Sequence, residues 1–214
     1  MQPPPPITRA LLIACTVLLF LCHIPALQFT MIEWVALTPV RSGFFFGYQM
    51  LTYAFVHLSV FQWLFNMMAL YFFGTELENL WGERRYIQFL LATILMAALL
   101  YVVLTFLLGI AAPLMGFNAA IFGMLVAFGV LFPNRLISLY FVAQVRMRTA
   151  VLIFAGILVF QMLGDMGSLS GAWIEGLSQF AGALGGYLMI LYWRWRPPSF
   201  RRGGGKKPPL RRVH

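Results

Sequence analysis

Charge is scarce in this 214-residue chain. Only 10% of its residues are Asp, Glu, Lys or Arg, and only six are acidic. A soluble domain carries about 25% charged residues, so the shortage excludes a water-covered surface of ordinary size. Cysteine is nearly absent too. Cys15 and Cys22, the only two, lie seven apart in one apolar segment. That spacing puts them on one helical face, too far apart along it for a disulfide. A disulfide-built secreted scaffold is excluded, and both thiols read as packing residues. Internal repeats are lacking, and the two halves do not match, which argues against an inverted-repeat transporter. Apolar surface is what abounds: 61% of the residues are hydrophobic and the mean hydropathy is +0.84. Intrinsic disorder and nucleic-acid binding do not fit that balance, and one membrane domain fits the length.

Apolar runs fall at roughly Ala10–Phe29, Ser59–Gly74, Tyr86–Ile110, Met115–Phe132, Thr149–Gly164 and Leu177–Trp193. A crossing helix needs about 20 residues, so the second and fifth runs, at 16 each, are short. Backbone in lipid must satisfy its own hydrogen bonds, which makes the runs helices. The predicted fold class is an all-α membrane protein, a bundle of six transmembrane helices. Residues 1–9 form a disordered cytoplasmic N-terminus, 10–195 the membrane domain, and 196–214 a basic disordered cytoplasmic tail.

Eight of the fifteen Lys and Arg residues lie in Arg194–His214, a stretch without an acid. With six crossings, Arg9, Arg84, Arg85, Arg135, Arg146, Arg148 and the tail share one side, against Arg41 on the other. The positive-inside rule places that side, and both termini, in the cytoplasm. The tail then reads as a partner for anionic lipid headgroups rather than for nucleic acid. A cleaved signal peptide is disfavoured by the long first run and its Pro3–Pro6 leader. The stretch Thr30–Leu58 is aromatic and almost uncharged. Such a loop is expected to lie in the membrane interface.

A polar side chain inside a crossing is a functional candidate by default. Here these are His57, Gln62, Asn66, Asn118, Gln161 and Gln179. Gln62 and Asn66, four apart, share a helical face and by themselves read as interhelical glue. Small residues at Ala119, Gly123 and Ala127, and at Gly182 and Gly186, predict close approach of two helices. That approach brings Asn118 and Gln179 together, as facing amides able to pair. Asp165 and Glu175 are read as outer-loop residues, leaving no acid in the membrane and little basis for ion-coupled transport. No cofactor and no metal site is expected.

The run Tyr48 to His57, then Asn66-Met67, Gly74-Thr75-Glu76-Leu77-Glu78 and Trp81-Gly82-Glu83-Arg84-Arg85, resembles the signature of rhomboid intramembrane serine proteases. Ala120-Ile121-Phe122-Gly123 and Ala183-Leu184-Gly185-Gly186-Tyr187 continue the likeness, in order, over about residues 10–195. The resemblance implies a six-helix rhomboid-like bundle. It does not carry the chemistry over. Asn118 stands at the position of the family's nucleophilic serine, Gln179 at that of its histidine base, and Gln62 at that of a second histidine. A carboxamide is neither a useful nucleophile nor a base near neutral pH.

The resemblance therefore implies a catalytically inactive relative. It would bind transmembrane segments of other membrane proteins, or serve as a subunit of a complex, through His57, Gln62, Asn66, Asn118 and Gln179. One alternative is an active protease using Ser178 or Ser59 with His57. Others are a structural subunit in which the amides are only glue, and a small-solute channel. The compact layout points to a bacterial inner membrane.

Overall fold

The computed structural model describes residues 3–109, 112–139, 143–165 and 172–195. The basic tail, and with it the expected contact with anionic lipid, lies outside the described residues. The first apolar run forms two helices, α1 (Pro6–Cys22) and α2 (Pro25–Val35). This corrects the single run Ala10–Phe29. Proline cannot continue a helix but starts one well, and Pro25 occupies the first turn of α2. The N-terminus of α1 is capped from far along the chain. Buried Glu78 accepts the N–H groups of Ile7 and Thr8 at 2.9 and 2.7 Å and the Thr8 hydroxyl at 2.8 Å.

Helix α2 buries none of its residues. Trp34, Phe46 and Tyr48 stack face to face beside it, with centroids 5.3 and 5.6 Å apart, and remain exposed. The loop is held by buried Gln49. Its amide donates to the carbonyls of Glu33 and Phe44 at 2.8 and 2.9 Å, and its oxygen accepts from the Thr38 hydroxyl at 3.0 Å.

Short helix α3 (Gln49–Thr52) and a 3-10 turn, Tyr53–Phe55, lead to a sharp bend. Beyond it α4 (Val60–Ala69) passes through a π turn, Leu70–Gly74, into α5 (Thr75–Trp81). The two arms meet at 97°. Gly82, at φ +76°, reverses the chain into α6 (Glu83–Leu108). Helix α7 (Asn118–Leu131) follows. A short antiparallel ribbon, β1 (Leu136–Leu139) with β2 (Ala143–Arg146), then leads to α8 (Met147–Asp165) and α9 (Ala172–Trp195). The ribbon departs from a strictly all-α expectation; it lies between α7 and α8 in the chain.

Helix α9 packs against both α6 and α7. A Cβ on Gly182 would sit 2.8 Å from both the Cβ and the carbonyl oxygen of Ala119, and one on Gly185 would sit 2.7 Å from the Ala92 carbonyl oxygen. Close packing of the small-residue faces is thus present, and it brings the first turns of α7 and α9 side by side. Many exposed side chains are apolar, among them Phe61, Leu152 and Phe160 at 70, 71 and 78% exposure, as suits a lipid-facing wall.

The protein is a mostly helical membrane protein. Among the described residues two helices are long and apolar enough to cross a bilayer, Glu83–Leu108 and Trp173–Trp195. The bent pair makes three if it is one span. Six full-length spans are therefore not found. Pro6–Cys22 and Asn118–Leu131 are apolar but, at 17 and 14 residues, short for a crossing, because Pro25 and the turn before Asn118 cut the runs short.

Candidate functional site

The polar candidates gather where the N-termini of α4, α7 and α9 converge. His57 lies in the bend before α4, and Asn66 two turns into that helix. Asn118 opens α7, and Glu175 and Gln179 occupy the first turns of α9. Glu175 was expected in an outer loop. It sits instead in the first helical turn, where the positive end of the helix dipole favours a carboxylate. This corrects its placement in a loop and puts an acid within a helix long and apolar enough to cross a bilayer.

A carboxylate only accepts hydrogen bonds, and that fixes the direction of every bond around it. The amide nitrogens of Asn118 and Gln179 both donate to Glu175 Oε1, each at 3.1 Å. With its nitrogen turned to Glu175, Asn118 presents its oxygen to Asn66, whose Nδ2 donates at 2.8 Å. The other hydrogen of that nitrogen faces His57 Nε2 at 3.2 Å. Nε2 is then an acceptor, and it also receives the backbone N–H of Phe117 at 3.4 Å. The remaining imidazole proton sits on Nδ1 and goes to the Phe55 carbonyl at 3.1 Å. One anion thus sets the polarity of a chain of five side chains. His57, Asn66 and Gln179 are buried in it. Asn118 and Gln179 do come together, but through the carboxylate rather than as a direct amide pair.

Gln62 stands beside this chain. Its Nε2 would lie 3.1 Å from a Cβ on Gly116, which has φ +97° and donates its own N–H to the Tyr53 carbonyl at 3.0 Å. Gln161 lies in α8. Next to Glu175 is a gap with room for about one water molecule, whose walls include Tyr53, Gly116, Asn118, Glu175, Ser178 and Gln179.

The two serines weighed as nucleophiles are engaged elsewhere. The Ser178 hydroxyl donates to the Ile174 carbonyl at 2.8 Å within its own helix. The Ser59 oxygen accepts the Gln62 N–H at 3.3 Å as the cap of α4. Among the described residues neither hydroxyl is bonded to His57, and no group of three metal-ligating side chains occurs. Glu175 is the site residue that sequence reasoning missed. The signal was its spacing of four from Gln179, which puts both on one helical face.

A family described as eukaryotic integral membrane proteins, DUF1751, has a model that matches residues 9–195. No curated protein matches the chain. The family match overturns two expectations. The resemblance to rhomboid proteases does not hold as a family assignment. Several of the residues that carried it serve packing and turns: Glu78 caps α1, Gly82 makes a turn, and Gly185 and Gly186 allow helices to touch. Such residues answer the demands of any tight helical bundle in lipid. The bacterial inner membrane is likewise replaced by a eukaryotic membrane, since a compact helical layout carries no mark of the organism. The chain belongs to the DUF1751 family of eukaryotic integral membrane proteins.

Proposed function

We propose that this protein is a non-catalytic membrane protein whose polar cluster holds segments of other membrane proteins. The observation that carries this reading is the chain His57–Asn66–Asn118–Glu175–Gln179 at the meeting point of three helix ends. Polar groups in a lipid-facing bundle are retained at a free-energy cost. A segment that crosses a bilayer with unwound turns has unsatisfied N–H and C=O groups, and a polar cluster facing it supplies partners. His57 Nε2 receives an amide and a backbone N–H, not a hydroxyl. That arrangement supports binding and offers no activated nucleophile.

The finer architecture belongs to the same reading. Helices α1, α7 and α8 cross as well, with local thinning of the bilayer around them. Thinning lowers the barrier for a client segment with polar turns to reach the cluster.

The test places a photoreactive residue at position 62, beside the cluster, and at position 160, on the exposed wall. The protein is reconstituted with single-span peptides carrying helix-breaking residues near one end. Crosslinks from position 62 well above those from 160 are expected. Equal yields from both positions would overturn the reading and leave the cluster as interhelical glue.

A further inference from the structure

We propose that the valley between α6 and α9 seats one anionic phospholipid, with an acyl chain in the valley and the phosphate at Arg85. The valley is a groove of about 280 Å³, lined among others by Ala92, Leu95, Met96 and Leu99 of α6 and by Gly185 and Leu188 of α9. Its floor is closed. A Cβ on Gly185 would lie 2.7 Å from the Ala92 carbonyl oxygen and 2.9 Å from the Met96 Cβ. Its rim is open, with Leu99 and Leu188 51 and 45% exposed. Both helices are long and apolar enough to cross a bilayer, so an apolar group fills the valley between them. Size selects which one. Ala92 to Leu99 covers about 10 Å of helix axis. A groove of that length and about 280 Å³ is one hydrocarbon chain wide, whereas a helix with its side chains is about 10–12 Å across.

Depth and charge select the headgroup. On the same face of α6, Gln88 and Arg85 stand four and seven residues before Ala92. The groove therefore runs from about 10 to about 21 Å below the level of Arg85. That is the chain region of one leaflet, half of a bilayer about 40–45 Å thick with its headgroups. The Arg85 guanidinium lies over the Trp193 ring at 5.5 Å. Attraction to the ring leaves the fork of N–H donors for a phosphate, and among the described residues no carboxylate pairs with Arg85. Arg84 adjoins Arg85 in the chain, Arg194 adjoins Trp193, and both are exposed. Of the acids at this end, Glu76 pairs with Arg135 and Glu78 caps α1, which leaves Glu83 in the first turn of α6. Arg84, Arg85 and Arg194 against one carboxylate favour an anionic over a zwitterionic headgroup.

The test reconstitutes the full chain in phosphatidylcholine nanodiscs with a trace of phosphatidylserine or phosphatidylcholine bearing a diazirine in one acyl chain. Labelled positions are read by peptide mass spectrometry after irradiation. The serine lipid is expected to label residues 92–99 and 185–192 about fivefold more than the choline lipid, with equal labelling of the exposed wall at Leu152 and Phe160. Arg85→Gln is expected to remove most of the difference, Arg85→Lys to keep part of it, and Arg148→Gln, on α8, to leave it intact. The two lipids are compared on unmodified protein, so the result decides even if Arg85→Gln fails to fold. Equal labelling of the groove by both lipids overturns the proposal. A serine preference spread over the wall as well assigns it to the general field of the basic residues and overturns a site. Absence of label from the groove overturns it too and marks the valley as covered by protein.

Discussion

At the scale of single residues, Glu175 organises the site. Two amides donate to one of its oxygens, and the remaining bonds of the cluster follow in direction from that fact. Glu175→Leu strands the donors of Asn118 and Gln179. It is expected to destabilise the protein by about 2–4 kcal/mol, read by thermal or denaturant unfolding in detergent. Glu175→Gln keeps an acceptor oxygen and is expected to cost less than half of that. Equal losses would show that charge and not hydrogen-bond direction matters. Glu78 works in the same way at the opposite end. Glu78→Ala leaves two backbone N–H groups and a buried hydroxyl without their acceptor. A loss of about 2–4 kcal/mol is expected, with faster hydrogen exchange at Ile7 and Thr8. Sequence reasoning found His57, Asn66, Asn118 and Gln179 because a polar residue stands out in an apolar run. It missed Glu175 because a charge at the edge of such a run looks like the start of a loop.

At the scale of elements, the contact of α7 with α9 positions the site. Gly182 meets Ala119 backbone, which cannot move aside as a side-chain tip can. Gly182→Val is expected to separate the two helices, cost about 3 kcal/mol, and loosen the Asn118–Glu175–Gln179 contacts. Gly156 in α8 has nothing within 4 Å of a Cβ. Gly156→Ala is expected to be neutral or to stabilise by up to about 1 kcal/mol. Unfolding of the two variants side by side checks both statements. The small-residue spacing made this helix contact legible in advance. Helix ends were less legible. Pro25 broke the first run in plain view. The passage from α4 to α5 continued past Gly74 through a π turn, because a glycine inside a packed bundle need not end a helix. Short-range pattern carries the helices, whereas their ends depend on what each meets in space.

At the scale of the whole molecule, the two ends of the bundle differ in character. One end holds the polar cluster. The other carries Arg85 over the Trp193 ring at 5.5 Å, Trp81 against Trp193 at 5.1 Å, and the Arg135–Glu76 ion pair. The run Ala10–Trp195 read as six crossings, while length and composition support two or three. Apolar runs count candidates, and only the folded helix shows how much of each run is usable length. The central claim is that the cluster is a binding site and not interhelical glue. Asn66→Leu combined with Asn118→Leu tests it most directly, because it removes the two amides at the centre of the chain; Glu175 and His57 Nε2 each lose one donor, so a stability loss of about 2–4 kcal/mol accompanies it. The measurement is photo-crosslinking of a single-span client from position 62, with unfolding recorded on the same samples. Loss of most of the crosslink under conditions where unfolding shows the double variant still folded is the predicted result. Crosslinking at the unmodified level in the double variant would contradict the account.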